Sequence, residues 1–254
     1  MATTDEKEED MSLSARRWGV LIGSPNTTVE IEYPRLCPQD VTLHYSRMYT
    51  GSDIGSNDRF EGVVVQTMDS MPAAIDSLVT AEVDRVILGF GMPGFYVGLD
   101  REPELIESMS TRAGGVPVTI PPESCRRAFE ALGVKRIAVM GSYQPLGAQR
   151  VRDYFEAAGY DVVKEAFQGH GSGTAASYMS SKELARAMFD LDGPDVDAIL
   201  QLGVNMPAVE PAHAVEQVIA KPVLAVNAVT FWNALRVSGI DTRVPGAGTL
   251  FWDH

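Results

Sequence analysis

Short apolar runs alternate with longer amphipathic stretches along this chain. Trp18-Gly-Val-Leu-Ile-Gly-Ser24 is an apolar run closed by Gly-Ser, the pattern of a buried strand. Thr42 to Met48 reads as the next strand. From Asp69 to Glu82, Met71, Ile75, Leu78 and Val79 recur at helical spacing and predict an amphipathic helix. Arg85 to Phe90 predicts a strand, Pro103 to Ala113 a helix, Val116 to Ile120 a strand, and Ser124 to Leu132 a helix closed by Gly133. The order then repeats. Lys135 to Ser142 is a strand with the same Gly-Ser ending, Gln149 to Ala158 a helix stopped by Gly159, and Asp161 to Ala166 a strand. Ser180 to Leu191, Ala212 to Ile219 and Thr230 to Ser238 predict helices, with strands at Ala198 to Leu202 and Pro222 to Val226 between them.

Strands alternating with helices predict an α/β fold with parallel sheets covered by helices. Two matched series predict two pseudo-symmetric halves, residues 17–120 and 121–222, with residues 223–254 packing back onto the first half. Two stretches anchor this reading: Val83-Asp-Arg-Val-Ile-Leu-Gly-Phe-Gly-Met-Pro-Gly94 and Val196-Asp-Ala-Ile-Leu-Gln-Leu-Gly-Val-Asn-Met-Pro-Ala208. Each is an apolar strand that ends in glycine and a Met-Pro turn. Ligands in open α/β sheets bind beyond the carboxyl ends of strands. The two strand ends are therefore expected to face one another across a single site. Gly51 to Arg59, rich in Gly, Ser, Asn and Asp, has the length of a lid. Residues 1–16, acidic at their start, are expected to be a disordered tail.

Composition narrows the function. A net charge of −13 argues against nucleic acid and anionic membranes as partners, since both recruit basic residues. No apolar run reaches the length of a membrane span, and the acidic start does not resemble a signal peptide. Cys37 and Cys125 form neither a disulfide framework nor a zinc-ligand spacing. The chain is expected to be cytoplasmic, free of metal and cofactor, and a homo-oligomer.

Several motifs carry a resemblance. Pro25-Asn-Thr-Thr-Val-Glu30 and Val204-Asn-Met-Pro207 are similar to signatures of the maleate cis-trans isomerases. Phe95-Tyr-Val-Gly98 and Phe231-Trp-Asn-Ala-Leu-Arg236 are closer to the arylmalonate decarboxylases. Over about residues 17 to 240 the chain resembles this branch of the aspartate/glutamate racemase superfamily. The resemblance implies a cleft site between the halves, and it implies that Tyr143 binds a substrate carboxylate. It also exposes a departure. The superfamily typically places a cysteine at each of the two strand ends; the matching positions here are Gly91 and Gly203. Thiolate addition to a double bond and racemisation between two thiols therefore have no thiol to use.

Decarboxylation is less demanding. A carboxylate held in an apolar pocket leaves when donors stabilise the developing enediolate, and only a proton donor is then needed. The expected reaction is thus that of a cofactor-free lyase on a small carboxylic or dicarboxylic acid. The alternatives are a maleate-isomerase-like enzyme or related hydrolase with a non-thiol catalyst, and a carboxylate-binding protein without catalysis. Tyr143, Glu123 and His170 are the catalytic candidates. Glu123 sits in Pro121-Pro-Glu-Ser124 before a helix, where it is either an acid/base group or a plain helix-terminal charge. His170 lies in a glycine-flanked loop, and a histidine side chain can carry a proton near neutral pH. Ser24, Asn26, Gly91, Met92, Ser142, Gly203 and Asn205 are the candidates for substrate binding. Ser24 and Asn26 precede a helical stretch whose free N–H groups attract anions. Gly169-His-Gly-Ser-Gly173 lacks the lysine and spacing of a phosphate loop.

Overall fold

The computed structural model describes residues 16–51, 59–169 and 173–254. The tail, most of the expected lid and His170 lie outside the described residues. The first half runs β1 (Arg16–Gly23), α1 (Val29–Leu36), β2 (Val41–Met48), α2 (Phe60–Val79), β3 (Arg85–Gly89), α3 (Met92–Val97), α4 (Glu102–Arg112) and β4 (Val118–Thr119). The second runs α5 (Pro121–Leu132), β5 (Arg136–Gly141), α6 (Pro145–Ala157), β6 (Asp161–Phe167), α7 (Ser181–Leu191), β7 (Ala198–Leu202), α8 (Val209–Ile219) and β8 (Val223–Ala225). Helices α9 (Val226–Val237) and α10 (Thr249–Asp253) close the chain.

The strands form two parallel sheets, ordered β2-β1-β3-β4 and β6-β5-β7-β8. The second order is the first with every strand moved on by four, so the halves repeat one topology. In each sheet the two central strands end level with one another: Ile22 pairs with Gly89, and Gly141 with Leu202. β3 and β7 are buried along their whole length. That explains why both read as apolar runs rather than alternating ones, broken only by Arg85 at the start of β3 and Gln201 in β7.

The helix that follows the last strand of each sheet, α5 after β4 and α9 after β8, packs on the other sheet's half. On α5, Phe129 packs against Phe155 of α6 and Tyr160 of the second half, at ring-centroid distances of 5.6 and 5.0 Å. On α9, Phe231 packs against Trp18 of β1 and Tyr33 of α1, at 5.6 and 5.0 Å. The two crossing helices meet where Asn233 Nδ2 donates to Ser124 Oγ over 3.0 Å. Neither half buries its sheet alone, so the exchange holds the halves in one arrangement.

Three departures from the sequence reading bear on the site. Helix α2 begins at Phe60 rather than near residue 69; Gly62, the β-branched run Val63-Val64-Val65 and Pro72 hide its helical period. The first Met-Pro turn continues into α3, with Pro93 in the first turn, where its missing N–H costs nothing. The expected strand at 116–120 shortens to Val118–Thr119.

Buried Glu32 of α1 ties the first half to the second. Its Oε1 accepts from Val209 N at the start of α8 (3.0 Å), and its Oε2 from Asn227 Nδ2 (2.6 Å). The same Asn227 nitrogen donates to Val204 O over 3.0 Å. Burial pushes the Glu32 carboxyl up from 4.5 to about 7, only partly offset by these bonds. Such a group keeps its proton longer when folded, so its contribution is full below about 4.5 and lost as pH rises through about 7. Between pH 5 and 8 the wild type should lose on the order of 2–3 kcal/mol relative to Glu32→Gln in urea titrations. Parallel stability profiles for the two proteins would refute this.

Candidate active site

The carboxyl ends of β1, β3, β5 and β7 converge on a cavity of about 110 Å³ between the halves. One side is apolar: Phe60, Val63 and Val64 of α2, with Phe90, Met92, Ala176 and Val204. Polar atoms come from Asn26, Thr50, Ser142, Tyr143, Gln144 and Asn205. Among the described residues no Asp, Glu, Lys, Arg, His or Cys lines it.

Asn26 is 3% exposed and held firmly. Its Oδ1 accepts from Thr28 N and Val29 N over 3.0 and 2.9 Å, capping the first turn of α1. Its backbone oxygen accepts from Arg47 Nη1 over 2.9 Å. With Oδ1 committed to the helix, Nδ2 is turned the other way, and among the described residues it is buried without a partner. An unsatisfied buried donor costs about 1–3 kcal/mol, so a ligand oxygen that reached it would recover that cost.

Asn205 has the opposite character. Its Oδ1 accepts from Thr27 N and Thr28 N (2.9 and 3.2 Å), and its Nδ2 donates to Pro25 O and Gly173 O (3.2 and 2.8 Å). Thr28 Oγ1 adds a bond to its backbone oxygen at 3.0 Å. A side-chain amide has two donors and two acceptor sites, and here all four are used. Asn205 therefore builds the wall and joins the halves, with no capacity left for substrate.

The other sequence candidates divide as follows. Ser142, Tyr143, Met92 and Gly203 line the cavity with Asn26 and Asn205. Ser24 does not; its Oγ accepts from Thr50 N (3.2 Å) and sits 3.3 Å from Thr50 Oγ1, and Thr50 takes the wall position. Gly91 lies between two wall residues, Phe90 and Met92. Glu123 is outside the cavity: it pairs with Arg127 one turn along α5, at 2.9 Å, and faces a separate surface hollow beside Glu102 and Arg126. The rotation of α5 that buries Cys125, Ala128 and Phe129 turns Glu123 outward. Cys125 is fully buried in α5 and Cys37 half-buried, and neither lines the cavity. Burial raises both thiols, Cys37 to about 11, so neither is a ready thiolate.

Phe60, Val63, Val64, Phe90, Thr50 and Gln144 line the site but were not anticipated from the sequence. The α2 residues went unseen with the start of that helix. Thr50 and Gln144 had a readable signal, since each lies just past the end of a strand, β2 and β5.

A sequence profile of the arylmalonate decarboxylase family (Amdase) matches residues 50–251. The chain belongs to the arylmalonate decarboxylase family. The maleate isomerase of Nocardia farcinica is 26% identical over 248 residues, spanning 94% of this chain and 96% of that protein. The maleate isomerase of Alcaligenes faecalis is 25% identical over 251 residues, spanning 92% and 95%. A cysteine-to-alanine variant of the Pseudomonas putida S16 maleate isomerase, solved with maleate, shares the fold with a TM-score of 0.86 at 24% identity, covering 93% of this chain and 97% of that one. A solved arylmalonate decarboxylase superposes with a TM-score of 0.71 at 19% identity, covering 94% and 100%. The family member described here thus sits in the maleate isomerase and arylmalonate decarboxylase branch of the aspartate/glutamate racemase superfamily.

The two strand-end glycines differ in what they tolerate. Gly203 has φ +113°, and a Cβ there would lie 2.7 Å from Ser142 Oγ and 3.0 Å from Met206 Sδ. Gly91, at φ −76°, would place a Cβ in ordinary contact, 3.4 Å from Phe95 and 3.5 Å from Tyr143 Oη. Gly203→Cys should therefore lower stability by roughly 1–3 kcal/mol through backbone strain alone, while Gly91→Cys should stay within about 1 kcal/mol of the wild type. Thermal unfolding of the two variants checks this; equal losses would show the Gly203 backbone to be free of strain.

Proposed function

We propose that this chain is an enzyme that holds a small dicarboxylic acid between its two halves and acts on it without a thiol. The observation that carries this reading is the amide nitrogen of Asn26, which among the described residues has no partner and belongs to a side chain lining a mostly apolar cavity at the strand ends. A carboxylate oxygen would satisfy that amide, and the hydroxyls of Ser142 and Tyr143 line the same cavity. The chain carries a net charge of −13, yet among the described residues no acidic side chain lines the cavity.

The sequence alone put decarboxylation first. The relatives that match nearly the whole chain are maleate isomerases, and they favour cis-trans isomerisation of a maleate-like acid as the leading reaction. Isomerisation requires the central double bond to lose its order for a moment, ordinarily by addition of a nucleophile. Decarboxylation is the second reading, favoured by a specific observation: an apolar wall of Phe60, Val63, Val64 and Phe90 faces the polar groups, and no described wall residue is a thiol. A desolvated carboxylate against such a wall is destabilised toward loss of CO₂.

Proton NMR in D₂O with maleate, phenylmalonate, methylmalonate and aspartate separates the readings. Fumarate from maleate is the expected product for the isomerase. Loss of a carboxyl group from a malonate, with deuterium entering at the α-carbon, would move the assignment to the decarboxylase. Binding without turnover would leave a carboxylate-binding protein, and no binding would overturn the proposal.

A further inference from the structure

Three of the side chains that line the cavity come from one face of α2: Phe60, Val63 and Val64, spaced i, i+3 and i+4. None of them can donate or accept a hydrogen bond. The polar groups come from elsewhere, Asn26 from the turn after β1, and Ser142 and Tyr143 from the end of β5. We propose that the substrate is a cis-dicarboxylic acid with a small alkyl group on its central double bond, its carboxylates at the strand ends and its alkyl group against α2. The inference rests on the reading of the cavity as a dicarboxylic acid site and deepens it by naming the substrate class.

The α2 wall is fixed by the second half. Phe60 lies in a notch at Gly147 of α6, where a Cβ would come within 2.9 Å of its ring. One residue on, Glu61 pairs with Arg150 of the same helix over 3.8 Å. Val64 is 1% exposed and Phe60 9%, so this face of α2 is turned inward. The next residue along it, Thr67, is fully buried, and its hydroxyl donates to Val63 O over 2.7 Å. That bond spends the hydroxyl on the helix itself. A carboxylate set against α2 would lose its water with nothing to replace it, whereas a methyl or ethyl group would gain from the same burial.

The shape of the acid matches this division. In a cis-butenedioate both carboxylates project from one edge of the double bond and both vinylic hydrogens from the other. With the carboxylates at the strand ends, the vinylic edge turns toward the apolar surface, and unsubstituted maleate offers that surface two hydrogens only. An alkyl group in place of one hydrogen fills the space and adds about four-fold in affinity for each buried carbon. The cavity of about 110 Å³ keeps that group small. In the trans acid the carboxylates lie on opposite edges, so one of them must meet α2 or leave its donors. The cavity therefore retains the cis acid and releases the trans acid, which agrees with isomerisation as the leading reaction.

The test is the dissociation constants of maleate, methylmaleate, ethylmaleate, fumarate and phenylmalonate for the wild type, Val63→Thr and Val64→Thr. Proton NMR of the same samples checks that each acid is still intact. Methylmaleate should bind the wild type about four-fold more tightly than maleate, ethylmaleate more tightly again, and fumarate most weakly of these four. Threonine keeps the shape of valine and adds a hydroxyl, so the preference for methylmaleate over maleate should fall toward one in the variants. A merely structural loss lowers both affinities together and leaves their ratio unchanged. Maleate binding as tightly as both alkylated acids overturns the inference and leaves the dicarboxylic acid site standing. So does a preference that both variants keep in full, so does fumarate binding as tightly as methylmaleate, and so does binding of phenylmalonate alone. If the wild type binds none of the five acids, the site itself is refuted.

Discussion

The side chain of Asn205 is the tie on which the site depends. It comes from the end of β7 in the second half and bonds to the backbone of Pro25, Thr27 and Thr28 in the first. A loop that approaches another backbone this closely must satisfy polar groups that water can no longer reach. One amide does so on both sides of the cleft at once. Glu32 and Asn227 repeat the arrangement, joining α1 to Val204 and to the start of α8. With these groups in place the two strand ends cannot drift apart, and a cavity with a fixed spacing between its walls results.

Much of this was legible in the sequence. β7 occupies the expected residues, and β3 ends one residue short of the expected strand, because both are apolar runs ended by glycine. The repeated order of strands and helices announced the matching sheets. The start of α2 was not legible, because Gly62, three valines and Pro72 carry weak helical propensity and the helix is held by what it packs against. Side-chain roles were harder to read. Asn26 and Asn205 look alike in sequence, each an asparagine in a turn after a strand. Only the folded chain separates one with a free donor from one that is spent. Glu123 was misjudged for a related reason: its position was near enough, but the direction of a helical side chain depends on a rotation that packing of Cys125, Ala128 and Phe129 decides.

The chemistry follows from which polar groups the fold leaves uncommitted. Those groups are amide and hydroxyl donors, set against apolar side chains, with no described charge in the wall. Against apolar side chains a donor aimed at an anion is worth more than in water. On the proposed reading these donors suit the oxygens of a small dicarboxylic acid. The glycines at the strand ends then read as places where the backbone is brought close to neighbouring hydroxyls, not as mere gaps.

The most direct measurement follows the two side-chain amides in ¹H–¹⁵N spectra while maleate is added. The Asn26 amide pair should shift strongly and saturably, because its Nδ2 gains a partner, while the Asn205 pair, already fully bonded, moves little. An Asn26 amide that stays put at saturating maleate would contradict the account, since the ligand would then be held somewhere other than the cleft between the halves.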